Sequence, residues 1–525
     1  MNMRSRPTRD DDRTPRLDNS HNRHVTQKPA LVIIFYYQRC PQVLSEALTL
    51  LCTSAYTLRT VNLCECPLQE EGDSATLTTV QRINAAFERA VTGHHTIIAI
   101  GAGEAALPAA CWVHDYAPAL AALILAAPRF LSSPGGMATS FQREATWMRR
   151  RLFSDCAAIG IPVLLAYTCR ILRREKSALA TLKAGLATAV VHQEIVEVDK
   201  PSAYARLATL FEQFIQHSRS LSADTLSLLY ADCAGNTCEE RNRLSEAETN
   251  RIKRVYWQLS RAALTVCGRH STGIALGLEH GFDSGVMLDY VYSNQATGKN
   301  GVGRFIDRLY LNSIPWRGVR IREQLVAQFI AGAVGRLKGR GNEINLLDIA
   351  AGYGRYFFQL PEQTLLAINA ALLRDYDPLN VARGNALIQE KGLENSVTYQ
   401  QADAFSEADL TALPADRTLA IASGFYELFS DNAQVLMSLR GISRSLMPGG
   451  YLVYTGIPWH PRQEFMARVM VRNGDKSAWV LRRRTQRELD FLIASAGFVK
   501  LTQRTDPWGI FSVSLACKLP TESAP

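Results

Sequence analysis

Two α/β domains in tandem, joined by a helical stretch, are what the sequence predicts. Three observations carry that expectation. Short apolar runs alternate with helix-length segments from about residue 31 to 214, and the alternation returns between about 276 and 519. The stretch between them has its apolar positions at helical spacing only. The third is a small-residue turn, Ala350-Ala351-Gly352-Tyr353-Gly354, set between an apolar strand and a helical segment. A chain of 525 residues is long enough for several cores at roughly 150 residues each. With 47% hydrophobic and 20% charged residues it is not too polar to collapse. No run approaches the roughly eighteen uncharged apolar residues of a membrane-spanning helix.

Residues 1–28 are polar and carry charges of both signs, and are expected to be a disordered lead-in. They have no apolar core of the kind a signal peptide needs, so a cytoplasmic protein is expected. Order begins near Pro29 with ALVIIFYY, a run suited to a buried strand. Strands are expected at 31–37, 57–63, 95–101, 121–127, 161–167 and 189–197, with helices such as 78–92 and 202–216 between them. Such runs argue for a parallel sheet covered on both faces over residues 29–216. Residues 217–275 read as a helical connector, with Gly235 and Asn236 marking a turn. The second domain, 276–525, has expected strands at Asn345–Ile349, Ala371–Asp375, Val397–Gln401, Thr418–Ser423, Tyr451–Thr455 and Ile510–Ala516. No internal repeat is visible, so the two domains are not a duplication.

A formal charge of +9 is mild for this length. It permits an anionic substrate, a nucleic acid or a membrane surface and selects none of them. The basic runs Arg149-Arg150-Arg151 and Arg482-Arg483-Arg484 are not interleaved with stacking aromatics, which disfavours a nucleic-acid groove. The 11 cysteines include no CxxC pair, and Cys64 with Cys66 lacks partners for a zinc site, so no metal is expected.

The sharpest local signal is NLLDIAAGYGRYFFQL. Small residues let the chain turn tightly and let a ligand approach the backbone, and Asp348 at the strand end can orient the loop. The next strand ends in acids at Asp375 and Asp377, where a carboxylate can take both hydroxyls of a ribose. The third ends in QADAF, placing Asp403, Ala404 and Phe405 where a polar edge and an aromatic face suit a purine. All of these groups fall at carboxyl ends of strands, where open α/β sheets bind ligands. A dinucleotide fingerprint would need a third glycine where Phe357 stands, and no GKS or GKT follows for a P-loop.

This ensemble resembles the class I S-adenosylmethionine-dependent methyltransferases, with a Rossmann-like, seven-stranded domain. The resemblance implies S-adenosylmethionine as cofactor. It places Asp348, Ala350, Gly352 and Gly354 in the first motif, Asp375 on the ribose, and Asp403, Ala404 and Phe405 at the adenine. Ser423 and Gly424, after the fourth strand, would lie beneath the methionine part, and Pro448-Gly449-Gly450 resembles the family's turn before the fifth strand. From about Asp283 to Ala516 the chain further resembles bacterial methyltransferases fused behind an α/β-hydrolase domain. That likeness implies the domain pairing but no substrate.

Methyl transfer needs a positioned nucleophile, excluded water and, for a protic acceptor, a base. The candidates are Glu427 and Tyr426 after the fourth strand, and His460 in GIPWHP after the fifth. His460 leads because its reference pKa lies near 6.5. Trp459 beside it is expected to form a substrate wall. Tyr290, Tyr292 and Asn294 in LDYVYSN, and Arg317 and Arg320 in PWRGVRIR, are candidates for holding substrate or a carboxylate.

The first domain has its own resemblance. HTIIAIGAGEAALPAA is similar to the nucleophile-elbow region of an α/β-hydrolase, yet Gly103 stands where GxSxG places the serine. No acid follows IPVLLAY, and His192 lies in VVHQEIVEVD rather than in a terminal loop, so a degenerate, non-catalytic domain is expected. Glu104 and Cys111 are the residues that could replace the serine. The resulting expectation is methyl transfer to a small molecule, a lipid or secondary-metabolite intermediate. A scaffold that keeps the nucleotide-like pocket and a nucleic-acid methyltransferase are the alternatives. The oligomeric state is open, with a homodimer among the options.

Overall fold

Six strands build the first sheet: β1 (Ala30–Tyr36), β2 (Tyr56–Asn62), β3 (Ile97–Ala102), β4 (Ala122–Ala126), β5 (Val163–Thr168) and β6 (Ala189–Ile195). They lie in the order β2-β1-β3-β4-β5-β6, every pair parallel. The computed structural model describes residues 30–37, 42–51, 56–64, 78–91, 96–130, 139–186, 189–195, 201–219, 235 and 237–519. The expected lead-in and the turn residue Asn236 lie outside them. All six first-domain strands fall where the apolar runs place them. Alternate side chains of one strand feed opposite cores: Leu31, Ile33 and Phe35 join one cluster and Val32 and Ile34 the other. This two-faced burial is why ALVIIFY carries no polar alternation.

The second sheet has seven strands: β7 (Asn345–Asp348), β8 (Ala370–Asp375), β9 (Val397–Gln401), β10 (Arg417–Ala422), β11 (Leu446–Gly456), β12 (Phe498–Thr505) and β13 (Ser512–Lys518). Their order is β12-β13-β11-β10-β7-β8-β9, with β13 antiparallel to both neighbours. From β7 the chain winds outward through β8 and β9, then crosses back to β10 on β7's other side. That reversal opens a crevice at the carboxyl ends of β7 and β10. β12 is not among the strands expected from the sequence. FVKLTQRT carries a register shift between Lys500 and Thr502, which breaks the alternation that marks a strand. Pro448-Gly449-Gly450 is also not a turn ahead of β11. It is an irregularity inside that strand, between the Leu446 and Tyr451 pairings, with Gly449 at φ 78°.

Helices cover the crevice. Residues 237–245, Arg251–Gly268, Thr272–His280, Gly285–Ser293 and Gly301–Leu311 precede the long helix Ile314–Gly339. Side chains are buried here from the capping helices (Met287, Val291, Leu311), the long helix (Trp316, Val319) and the post-β11 segment (Ile457, Met466, Leu481). Ser271, Ser284 and Asn300 cap three of these helices by accepting backbone N–H groups. Among the described residues no helix is long and apolar enough to cross a membrane.

The two sheets are tied through buried charge. His114 lies between Asp115 (2.7 Å) and Asp155 (3.0 Å), and Arg483 from the second domain grips both oxygens of Asp155 at 2.7 and 3.0 Å. Arg151 pairs with Asp115 (2.9 Å) and donates to the Trp508 carbonyl (2.7 Å). Gly509 is at φ 69°, and a Cβ there would stand 2.4 Å from the Arg151 guanidinium, so the contact requires glycine. The basic runs are therefore largely internal. Arg482 pairs with Glu488, and Arg484 donates to Asn432 and to the Tyr426 and Phe429 carbonyls.

Candidate functional site

At the tip of β7 the chain turns through Gly352 (φ 60°) and Gly354 (φ 68°). A Cβ on Gly352 would meet nothing within 4 Å, so the turn faces open space. Asp348 is fully buried behind it. Its Oδ2 accepts the Tyr356 hydroxyl (2.6 Å), whereas Oδ1 makes no hydrogen bond of ordinary geometry. Burial pushes this carboxyl up to about 7, although the Tyr356 hydroxyl and the Ala350 N–H pull it back.

Asp375, at the tip of β8, is half-buried and already engaged. Its Oδ2 accepts the Gly352 N–H (2.8 Å), and its Oδ1 accepts from Asp377 N and Asn380 Nδ2 at 2.9 Å each. It thus fastens the glycine turn to β8. Asp377 caps the helix Pro378–Glu390, accepting the Leu379 N–H (2.9 Å), which separates the two acids' roles. Beyond β9, Asp403 accepts the Phe405 N–H (2.8 Å) and closes its own loop. Ala404 is buried. The Phe405 ring packs on Phe429 (4.3 Å between centroids) and Phe425 (5.8 Å), so one flank of it is already covered.

After β10 come Ser423 and Gly424, the latter at φ 75° with its N–H on Thr455 Oγ1 (2.8 Å). A Cβ there would stand 3.1 Å from the Arg322 guanidinium. Arg322 is buried. It donates to the Tyr292 hydroxyl (3.3 Å), faces Glu427 (3.5 Å) and lies over the Phe511 ring (5.0 Å). Arg322, Glu427, Phe511 and Gly424 border a cavity of about 420 Å³ under the capping helices. Leu264, Trp316, Met466 and Trp479 give it mainly apolar walls, and His460 and Arg462 add polar points.

Several expected substrate residues stand elsewhere. Tyr290 donates to Asp307 (2.7 Å) and holds capping helices together. Asn294 is exposed at φ 52° and terminates the helix Gly285–Ser293. Arg317 lies exposed over the Trp508 ring at 4.9 Å, and Arg320 donates to the Val291 and Leu311 carbonyls. They form no common fork. Of the aromatic and asparagine set, only Tyr292 reaches the cavity's arginine. Trp459 turns toward the first domain, donating to Ser154 Oγ (3.1 Å) beside Trp147. Arg322, which nothing in PWRGVRIR singles out, lines the cavity, as does Arg462. Two residues along a helix means a rotation of about 200°, so Arg320 and Arg322 face opposite ways.

The catalytic candidates divide too. Tyr426 is buried against Ser438 (3.1 Å) in the core and does not face the cavity. His460 lines it, but burial and the neighbouring Arg462 push its pKa down to about 3. Its Nδ1 also accepts the Arg462 N–H (3.2 Å), leaving Nε2 as the protonated nitrogen. A neutral imidazole with a lowered pKa is a poor proton acceptor, which disfavours His460 in its expected role. Glu427 is displaced the other way. Burial raises its pKa while Arg322 resists the rise.

In the first domain, β3 runs into Gly103 at φ 59°, and a Cβ on Gly101 would stand 2.8 Å from Ala109 Cβ. Glu104 pairs with Arg129 (2.7 Å). The Cys111 thiol is buried, donates to the Met148 carbonyl (3.4 Å), and is pushed up to about 12 by burial. Neither is a nucleophile poised to replace a serine. His192 lies in β6 opposite Leu165.

Residues 211–518 match the model of a family described as "Putative methyltransferase". The match spans more than half of the chain. The chain belongs to that methyltransferase family. A relative in Escherichia coli (strain K12), "Uncharacterized protein YnbC", is 34% identical over 486 residues, covering 81% of this methyltransferase and 82% of that protein. Among solved structures, a "possible exported protein" of Bordetella parapertussis has 15% identity and a TM-score of 0.39, over 55% of this chain and 97% of its own. A SAM-dependent methyltransferase of Methanosarcina mazei has 16% identity and a TM-score of 0.28, over 34% and 93%. The methyltransferase uses S-adenosylmethionine as its cofactor. The open space over Gly352, at the turn that Asp375 fastens to β8, fits such a molecule.

Proposed function

We propose that this methyltransferase alkylates a small, largely apolar molecule seated in the cavity between Gly424 and the capping helices. The single observation that carries the proposal is that Gly424, at the β10 tip beside the switch point, also lines that apolar chamber. A cofactor above the β7 turn and an acceptor in the chamber would therefore meet at one place. Ala350, Gly352 and Gly354 give its backbone cradle, Asp348 and Asp375 its acceptors, Asp403, Ala404 and Phe405 its purine edge, and Ser423 and Gly424 its far end. S-adenosylmethionine supplies an electrophilic methyl group when bound.

The chain's own side chains supply the rest. Glu427 takes the proton from a hydroxyl or N–H of the acceptor, its raised pKa making it the better base of the candidates. Arg322 holds Glu427 and Tyr292 in place and favours the ionised Glu427 carboxylate before it takes the proton. His460 donates a hydrogen bond from Nε2 and removes no proton. Trp316, Trp479 and Met466 keep water from the reacting atoms. A lipid or secondary-metabolite intermediate suits such walls.

The first domain, residues 29–216, reads as a non-catalytic hydrolase-like unit ahead of the connector at 217–275 and the transferase at 276–525. Its parallel strand order and the positive φ of Gly103 at the elbow support that reading. Calorimetry with S-adenosylhomocysteine tests the site. Asp375→Ala should weaken binding by about 1.5–3 kcal/mol, the worth of charge-assisted hydrogen bonds, and Gly352→Trp should abolish it while the thermal melt persists. Wild-type affinity in both variants would overturn the assignment.

A further inference from the structure

Helix Arg251–Gly268 carries two apolar stripes where a surface helix carries one. Trp257, Leu264 and Gly268 form the inward stripe against the cap. The second, Ile252, Val255, Tyr256, Leu259 and Val266, recurs at helical spacing and faces solvent, with Ile252 83% and Leu259 65% exposed. Helix Gly301–Leu311 repeats the arrangement. Gly303, Asp307 and Leu311 turn inward, while Val302, Phe305 (57%) and Leu309 (60%) are exposed. Leu309 is at once part of this outer surface and a wall of the 420 Å³ cavity, and Leu264 and Ile306 of the same two helices line it as well. Leu309 therefore joins the exposed face of helix Gly301–Leu311 to the cavity wall, while helix Arg251–Gly268 meets the cavity through its inward Leu264.

Charge accompanies it. Residues 251–270 contain Arg251, Lys253, Arg254, Arg261 and Arg269 and no acid. Helix Gly301–Leu311 adds Arg304 and Arg308, and its one acid, Asp307, is buried and accepts from Tyr290 and Ser271. Lys253 also pairs with Glu464 (3.0 Å). Arg254 and Arg261 donate to the Glu248 and Arg468 carbonyls, which leaves Arg251 and Arg269 flanking the stripe, and basic residues beside an exposed apolar stripe are the chemistry of a helix lying in the interface of an anionic bilayer. We propose that this face of the cap docks on an anionic phospholipid surface, and that the acceptor is a membrane-resident amphiphile. Its apolar body enters between the two helices while its polar end reaches Glu427 and Arg322. The acceptor's class rests on the reading of the cavity under the proposed function; the docking face does not.

Flotation of the full chain with phosphatidylglycerol-containing vesicles, and with pure phosphatidylcholine vesicles, tests it. The chain should float with the anionic vesicles and be released by salt. Leu259→Asp and Phe305→Asp, both on exposed positions, should each weaken partitioning by about tenfold or more while S-adenosylhomocysteine binding and the melt stay as in wild type. Absence of the chain from the anionic vesicle fraction overturns the proposal, as does flotation that both variants leave intact. A dimer in sedimentation velocity that dissociates with the same two substitutions also overturns it, assigning the face to a second copy. Loss of S-adenosylhomocysteine binding in the wild type would instead sink the cofactor reading, with the vesicle result standing apart.

Discussion

Replacing Arg483 by Met would remove the bolt between the two domains. The guanidinium makes two charge-assisted hydrogen bonds to Asp155, at 2.7 and 3.0 Å, and one to the Pro458 carbonyl at 2.9 Å, and it also pairs with Glu240. The Arg483 and Asp155 side chains are only 8% and 11% exposed, whereas Glu240 at 25% is more open to solvent and adds less. The substitution strands the Asp155 carboxylate with His114 as its remaining partner (3.0 Å). Breaking a buried pair from one side costs about 3–5 kcal/mol, more than the pair itself is worth, because the remaining charge stays desolvated. Urea unfolding followed by tryptophan fluorescence should show a loss in that range. Arg483→Met with Asp155→Asn should recover a large part of it, since the uncompensated charge is gone. A loss below about 1 kcal/mol, or a double variant no more stable than the single one, would refute the argument that burial makes this contact expensive to break.

The same network gives a pH signature. Burial alone would lower the His114 pKa, but the hydrogen bonds to Asp115 and Asp155 win and raise it above 6.5. A raised folded-state value means stability that is full below 6.5 and lost as pH rises through the folded pKa. Melting temperatures of the wild type should fall over that window, and His114→Gln should flatten the slope; an unchanged slope would remove His114 as its cause. His460 makes the opposite case. With its pKa near 3, the pH profile of kcat/KM should keep its shape in His460→Gln, whereas Glu427→Gln should cost about 10²-fold or more in kcat. Disappearance of the acidic limb in His460→Gln alone would return the base role to the histidine.

Six strands of the first sheet, six of the seven in the second, and the glycines and acids at their tips are legible in the residues alone. A strand buried on both faces must be apolar throughout, so ALVIIFY, IIAIGA and VLLAYT announce themselves. The Gly352 and Gly354 turn and the acids at Asp348, Asp375 and Asp403 are local to single strand ends, where residue type and spacing follow from one backbone geometry. The edge strand β12 escaped because its register shift destroys the period that reading depends on. What each polar side chain near the 420 Å³ cavity touches is set by the packing of distant segments. Arg320, Arg322 and Arg317 look interchangeable in PWRGVRIR, yet helical rotation sends one to carbonyls, one to Glu427 and one over Trp508. His460 reads as a base in the sequence, whereas burial beside Arg462 lowers its pKa, and Trp459 reads as a substrate wall until it is found holding Ser154 of the first domain. The physical reason is common to all three. Desolvation and orientation depend on atoms brought together from distant parts of the chain, and no residue carries them in its name.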